Sequence, residues 1–411
     1  MVSSSTSQVR WKPAFERPRS EGRPRSGVRV DDSARSVRIL IAAGGTGGHV
    51  YPGIAIAEEW MRIHPDSTVT FVGTERGVEA KAVPAAGFAF RAIDARGFPR
   101  RPGLGMIRAA WGFGKSFVQV AGIIKDVKPH AVIATGGFVS GPVGLWARLL
   151  GIPLVLQEQN SVPGAANRWL SLIASQVHIS FVESRNYFRR RNNLKVSGNP
   201  IRSSLLRGDR QSAYEWLGLD PSRRTLLVFG GSRGASSINR ALSGALPRLS
   251  RVPQLQIVWQ TGAEDFEASR ARAKEISIPV RAFAYLDQME KAYAVADLAV
   301  CRSGAMTITE LTACGVPAIL IPYPHAARDH QTQNARGLVE RGAAEMIADK
   351  ELTPDSLADQ IEILFRDEQR LRRMGRNARA FSRTNAAERI VRSIGELPEL
   401  SAAGSESPSG E

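Results

Sequence analysis

The stretch RILIAAGGTGGHVYPG (residues 38–53) joins a short apolar run to a glycine-rich loop, and TLLVFGGSRGA (residues 225–235) repeats that arrangement in the second half of the chain. Each reads as a buried strand that ends in a loop and opens a helix. Glycine there lets the backbone approach a ligand closely, while the helix N-terminus offers free N–H groups and the positive end of a dipole. Two such units predict an α/β fold with two nucleotide-type domains facing one another. That arrangement suits an enzyme holding an anionic donor in one domain and an acceptor in the other.

Working outward, apolar runs at 68–73, 131–135, 153–160, 177–181 and 194–200 read as further strands of the first domain, with a helix over 54–63. Runs at 255–262, 280–286, 297–304 and 317–324 repeat the alternation in the second, and three amphipathic helices follow over 354–394. Strand–helix alternation of this kind predicts parallel sheets covered on both faces. The segment GNPIR (198–202) reads as a turn and a domain crossing. The expected organisation is a disordered basic arm (1–36), a first Rossmann-like domain (37–198), a second (199–375), a C-terminal helix (376–397) and a disordered tail (398–411).

The chain has 411 residues, enough for two ordinary domains. With 43% hydrophobic and 23% charged residues it reads as globular. Lys and Arg number 55 against 39 Asp and Glu, a net charge of +16 that predicts an anionic partner. No zinc-finger spacing or aromatic RNA-binding signature accompanies it, so nucleic acid is not the expected partner. Neither Cys301 nor Cys314 lies in a CxxC or Cys/His cluster, which argues against a metal site and for reduced thiols in a cytosolic compartment. Residues 1–36 are rich in Ser, Arg and Pro without the apolar core of a secretory signal. No apolar run approaches the ~18–20 residues of a membrane span, so membrane contact is expected to be peripheral.

The loop GGTGGH does not complete the dinucleotide spacing GxGxxG. His49 stands at the helix start, where a histidine can accept a proton or simply fill the loop. In GGSRGA, Ser232 and nearby N–H groups suit a phosphate, with Arg233 adding charge; a tight turn without a ligand is the alternative. In CRSGAMTITELTACGVP (301–317) a helix begins near Ala305 and carries Glu310 one to two turns in, where a carboxylate can accept both hydroxyls of a ribose or merely sit well on the dipole. Gln331 and Gln333, in IPYPHAARDHQTQNA, have amides that read sugar hydroxyls as donor and acceptor together. Asn160 in QEQNSVPGAANRWL stands at a strand end beside Ser161, facing a cleft or capping a loop. Between 97 and 125, Met106, Trp111, Phe113 and Phe117 lie close to Arg100, Arg101, Arg108 and Lys115. That mixture suits an anionic bilayer surface or a core helix with a basic stripe.

The segments GGTGGHVYPG, TGGFVSGP, QEQNSVPGAANR, SGNPIR, FGGSRGA, CRSGAMTITEL, CGVPAILIPYP and DHQTQNA, in that order, resemble the MurG-type UDP-N-acetylglucosamine transferases of peptidoglycan assembly. The resemblance spans about residues 37–394 and leaves the N-terminal arm outside. It implies a GT-B fold, with the site between two Rossmann-like domains and the last helix returning to the first. It also implies an inverting hexosyltransferase without metal or cofactor, which moves N-acetylglucosamine from its UDP donor to the C4 hydroxyl of lipid I and so makes lipid II. By motif, Thr46, Gly47, Gly48, Asn160, Arg202, Ser232, Leu286, Ala305, Met306, Thr307, Ile308, Thr309, Glu310 and Gln331 correspond to the family's donor contacts, with Leu286 offering backbone groups to uracil. His49 is the first choice of base. The resemblance further implies a peripheral enzyme on the cytoplasmic face of the bacterial inner membrane, with anionic lipid and other cell-wall synthesis and division proteins as partners. Two departures stand out: QEQN replaces the family's common HEQN, and the loop HAARDHQ is longer than in some members, which leaves Gln331 and Gln333 both open.

Overall fold

The computed structural model describes residues 36–95, 104–231 and 233–403, without the side chains of 104–111, 327 and 401–403, and these residues belong to one compact unit. Its first half carries β1 (Arg38–Ala43), α1 (Gly47–Ile63), β2 (Thr68–Gly73), α2 (Glu79–Ala85), β3 (Ala89–Ala92), α3 (Leu104–Val127), β4 (Ala131–Gly136), α4 (Ser140–Leu149), β5 (Leu154–Glu158), α5 (Ala165–Leu170), β6 (Gln176–Ile179) and β7 (Leu194–Val196). The second carries α6 (Arg210–Leu217), β8 (Arg224–Phe229), α7 (Ser236–Leu249), β9 (Leu255–Gln260), α8 (Phe266–Lys274), β10 (Val280–Phe283), α9 (Met289–Val295), β11 (Leu298–Cys301), α10 (Ala305–Cys314), β12 (Ala318–Leu320), α11 (His330–Val339), β13 (Ala344–Met346), α12 (Pro354–Arg366) and α13 (Glu368–Phe381). Two last helices follow, α14 (Ala386–Gly395) and α15 (Pro398–Ala403).

All strand pairs are parallel, in the orders β3-β2-β1-β4-β5-β6-β7 and β10-β9-β8-β11-β12-β13. Each sheet starts at a central strand, runs outward, then returns to its other side. The reversal leaves a crevice at the carboxyl ends of β1 and β4 and another at those of β8 and β11, where doubly wound folds bind ligands.

Alternation along β1 explains the layering. Ile39, Ile41 and Ala43 face one core with Trp60 of α1 and Phe71 of β2, while Leu40 and Ala42 face another with Val120 of α3 and Val143 of α4. In the second sheet Leu226 and Val228 face α7 and α12, and Leu227 and Phe229 face α9 and α10. Each large apolar side chain buried in these layers contributes roughly 1.5–3 kcal/mol.

Helix α1 starts at Gly47, ahead of the expected 54, because Thr46 is extended (φ −142°, ψ 156°) and Pro52 is accommodated inside the helix. Edge strands β3 and β13 had no clear sequence signal; each is short and only partly buried, so neither carries a full apolar run. The C-terminal region also differs from the expected bounds. Helix α13 still packs on the second half through Ala378, and the return to the first half comes with α14, whose Ile390, Val391 and Ile394 join the core of α1. Residues 398–403 form α15 rather than a tail, and Leu400 is buried in that same core. Residues 1–35 and 404–411 lie outside the described residues.

Two segments cross between the halves, and they touch. Gly198 has φ +94°, and a Cβ there would lie 3.1 Å from the Cβ of Arg383. A buried polar cluster docks α14: Gln176 Nε2 donates to the Ser393 carbonyl (2.8 Å), and the Ser393 hydroxyl donates back to Gln176 Oε1 (3.0 Å). His178 completes it between the Ser197 hydroxyl (2.7 Å) and Gln176 Oε1 (3.1 Å). Burial, and secondarily the Lys195 charge, push its imidazole down to about 3. Among the described residues no helix is long and apolar enough to cross a membrane.

Candidate functional site

The crevice of the first sheet is built around His49. Its Nδ1 lies 3.1 Å from the Thr135 carbonyl and 3.1 Å from Gln159 Oε1. Both are acceptors, so Nδ1 carries the proton and donates it, and Nε2 holds the free lone pair. Nε2 has no hydrogen-bond partner among the described residues. Gly136, at φ +115°, makes room for the ring: a Cβ there would lie 2.6 Å from Nδ1. The loop ahead is held by the buried carboxylate of Glu79, which accepts from the Gly45 N–H (3.3 Å), the Thr74 N–H (2.9 Å) and the Thr74 hydroxyl (2.8 Å). Thr46 is exposed beside the first-turn residues Gly47 and Gly48, and it forms no side-chain cap, so first-turn amides stay free for a ligand.

In the second sheet the corresponding position belongs to the start of α10. Gly304 is its N-cap and has no side chain to close the end. The amides of Ala305, Met306 and Thr307 therefore point outward at the positive end of the helix dipole, a ready anion site. Met306 and Ile308 are buried in the core, so only their backbone can meet a ligand. Glu310 is half-buried one and a half turns in. The Tyr293 hydroxyl donates to its Oε2 (2.9 Å), and Oε1 has no partner among the described residues. Burial raises the carboxyl of Glu310, opposed by the Tyr293 hydrogen bond and the Arg202 charge.

A chain of hydrogen bonds joins the two crevices. Gln159, which orients His49, accepts at its carbonyl from Asn199 Nδ2 (3.1 Å), and Asn199 Nδ2 also donates to Thr309 Oγ1 on α10 (3.0 Å). The Ser161 hydroxyl donates to Asn334 Oδ1 on α11 (2.9 Å), a second bridge. Arg202 follows the crossing, with its guanidinium carbon 4.9 Å from the Tyr51 ring centre and Nη2 3.9 Å from Glu290.

The remaining expected residues differ in how far their polar groups are already engaged. Asn160 donates from its amide to Glu158 Oε1 (3.2 Å), which leaves Oδ1 open. Gln331 is drawn in by its neighbours: the Tyr323 N–H donates to its Oε1 (3.0 Å), and the Ser303 hydroxyl donates to its carbonyl (2.9 Å). Gln333 is exposed. Leu286 departs from expectation in part, because its N–H donates to Gln260 Oε1 (2.9 Å) and only its carbonyl remains for a ligand. Ser232 lies outside the described residues; its loop is pinned by Gly234 (φ +78°), where a Cβ would lie 2.0 Å from the Thr261 carbonyl. Among the described residues no group of three or more His, Cys, Asp or Glu is set to hold a metal.

The sequence reading missed Gln159, Tyr293, Gln260 and Glu79, the residues that orient rather than touch. Only the QEQN strand end gave any signal for them.

The basic apolar segment is split by the structure. Residues 97–103 and the side chains of Met106, Arg108 and Trp111 lie outside the description. Beyond them Phe117 stacks on Trp146 (4.7 Å between centroids), Val120 and Ile124 are buried, and Val118 is 73% exposed. Among the described residues, exposed apolar side chains lie on and just after α4 and α5: Leu145, Leu149 (67% exposed), Leu150, Trp169 (75% exposed) and Leu172. Helices α3, α4 and α5 pack in succession, so these residues share one side of the first half.

Comparison with known proteins agrees with this architecture. The model of the glycosyltransferase family 28 N-terminal domain matches residues 39–179, and that of the family 28 C-terminal domain matches residues 225–390. A UDP-N-acetylglucosamine--N-acetylmuramyl-(pentapeptide) pyrophosphoryl-undecaprenol N-acetylglucosamine transferase of Acetivibrio thermocellus is 39% identical over 369 residues, covering 90% of this chain and 100% of the relative. Its counterpart from Prosthecochloris aestuarii is 42% identical over 359 residues, covering 85% of this chain and 96% of the relative. The crystal structure of Acinetobacter baumannii MurG superposes with a TM-score of 0.67 at 31% identity, covering 88% of this chain and 100% of that one.

Proposed function

Because the chain belongs to the UDP-N-acetylglucosamine--N-acetylmuramyl-(pentapeptide) pyrophosphoryl-undecaprenol N-acetylglucosamine transferases of glycosyltransferase family 28, we infer that it moves N-acetylglucosamine from UDP-N-acetylglucosamine to undecaprenyl-pyrophosphoryl N-acetylmuramyl-pentapeptide, lipid I, and so forms lipid II. The observation that carries the chemistry is His49 with its proton locked on Nδ1 and its Nε2 lone pair free, bonded through Gln159 and Asn199 to the helix that would receive the donor.

In this reading the donor diphosphate lies at the uncapped N-terminus of α10, with Arg202 beside it. Glu310, oriented by Tyr293, accepts the ribose hydroxyls on Oε1, and Asn160 and Gln331 contact the sugar. The Leu286 carbonyl accepts from the uracil N–H. His49 Nε2 takes the proton of the acceptor C4 hydroxyl as its oxygen attacks the anomeric carbon from the face opposite UDP, which inverts that centre. The transition state has oxocarbenium character, and the charge growing on departing UDP is met by the α10 amides and the Arg202 guanidinium, donors already in place before reaction. No step calls for a metal. The test is transfer of labelled N-acetylglucosamine to a lipid I analogue in EDTA; donor binding without transfer to that acceptor would sink the assignment.

The acceptor is a lipid, so the protein must work at a membrane surface. The exposed apolar side chains of α4 and α5, with Arg148 and Arg168 beside them and in no ion pair among the described residues, suit docking to the anionic cytoplasmic face of the inner membrane. Trp169→Glu combined with Leu149→Glu should abolish sedimentation with phosphatidylglycerol vesicles and leave turnover of a water-soluble acceptor intact. Unchanged sedimentation would remove this face from the reading.

A further inference from the structure

Tyr51 stands on α1 two residues past His49, and the transfer chemistry above makes no use of it. Its ring covers the first glycine loop, where a Cβ on Gly47 would lie 3.1 Å from the ring. The Arg202 guanidinium carbon is 4.9 Å from its centroid, inside the range of a cation–π contact. Its hydroxyl is 2.8 Å from the hydroxyl of Tyr285, the residue before Leu286 in the second half. One side chain therefore touches the loop before His49, the segment after the crossing, and the strand end that precedes the uracil contact.

Arg202 itself is held loosely. Its separation of 3.9 Å from Glu290 is too long for a hydrogen bond. Arg202 Nε and Glu290 Oε2 are both buried without a hydrogen-bond partner. The guanidinium thus lies between the Tyr51 ring and a carboxylate that forms no hydrogen bond with it. Burial, and next the neighbouring Tyr51 hydroxyl, push the Tyr285 phenol upward, so Tyr285 keeps its proton in this bond.

We propose that Tyr51 is a positioning residue for donor binding, which through the Tyr285 hydroxyl and the face it offers Arg202 holds the two halves in the relation that lets Arg202 and Leu286 meet one donor together. The proposal rests on the assignment of UDP-N-acetylglucosamine to this cleft. A hydroxyl bond of this kind biases an open–closed equilibrium modestly, and a ligand that needs the closed form loses apparent affinity in proportion to the competent fraction. Saturating donor restores the closed form, so the turnover number is preserved.

The experiment is a double-mutant cycle on the full chain, read as donor KM and kcat with a lipid I analogue. Tyr51→Phe and Tyr285→Phe should each raise donor KM about fivefold with kcat within about twofold of wild type. The double variant should be no worse than the larger single, because either change removes the same bond. Tyr51→Leu, which also removes the ring near Arg202, should raise KM about tenfold or more. Multiplying effects in the double variant, unchanged KM in both Phe variants, or a loss confined to kcat would each overturn the proposal. The Phe variants keep the ring and its packing, so thermal melting should match wild type even where Tyr51→Leu folds poorly. If wild type itself fails to use UDP-N-acetylglucosamine, the donor assignment falls; if wild type works and the Phe variants match it, the role of Tyr51 alone falls.

Discussion

The two halves of the molecule share one strand order and one reversal point, yet they offer opposite chemistry there. At the end of β4 stands Gly136, and the room it leaves is filled by an imidazole with a free lone pair. At the end of β11 stand Ser303 and Gly304, and the room is left to the bare amides of α10. In the proposed reading one half accepts a proton and the other an anion. The topology supplies the crevice in both cases. The side chain nearest the helix start decides what the crevice does.

The sharpest way to break this comparison is to remove the imidazole. His49→Ala should lower kcat by about 10²–10⁴ while leaving UDP affinity nearly unchanged. Equal losses in both, measured by steady-state kinetics and calorimetric UDP titration, would make His49 a structural residue and the first half a mere scaffold. Gly136→Ala should reproduce much of the loss, since its Cβ takes the position of the ring.

The converse change tests the second half. Glu310→Gln keeps the shape but removes the charge proposed to hold the ribose, and it should raise donor KM roughly ten- to a hundredfold with a smaller effect on kcat. A fall in kcat at constant KM would move Glu310 into the chemistry.

Acid should separate the halves by stability. His178 is buried in the first half with its imidazole pushed down to about 3, against about 6.5 when unfolded. A depressed folded value means that stability is complete above pH 6.5 and is lost as pH falls toward 3, because only the unfolded chain takes up the proton freely. The loss at pH 5 is about 2 kcal/mol. Denaturant titration between pH 7 and 5 should show it, and His178→Gln should flatten the slope. Hydrogen exchange should place the weakening in β6, β7 and α14; uniform weakening of both halves would reject this origin.

The smallest expected effect is on the bridge itself. Asn199→Ala removes the bond to Thr309 and should cost about 1 kcal/mol, read as a fewfold rise in donor KM. If Thr309→Ala gives the same rise and the double variant no more, the bridge acts as one unit.

Legibility followed burial. Central strands such as β1, β4 and β8 were clear because both of their faces are buried, which forces continuous apolar runs bounded by glycine. Edge strands β3 and β13 were not, because an edge strand half in solvent needs no such run. Among the candidate site residues, His49, Glu310, Gln331 and Gln333 were singled out by residue type near the glycine loops and strand ends. Gln159, Glu79 and Tyr293 did not, since an orienting hydrogen bond joins residues far apart in the chain and leaves no local pattern.

By itself the sequence determined the parallel α/β class, the two glycine loops, the crossing at Gly198–Arg202 and the family. Local backbone demands and hydrophobic periodicity act over a few residues, so they are written in a few residues. The tertiary structure alone decided which nitrogen of His49 is free, why Leu286 keeps only its carbonyl, where α14 returns, and that Leu145, Leu149 and Trp169 rather than the buried half of α3 meet solvent. Those outcomes depend on which distant groups the fold brings within about 3 Å of one another, and no spacing along the chain encodes that distance.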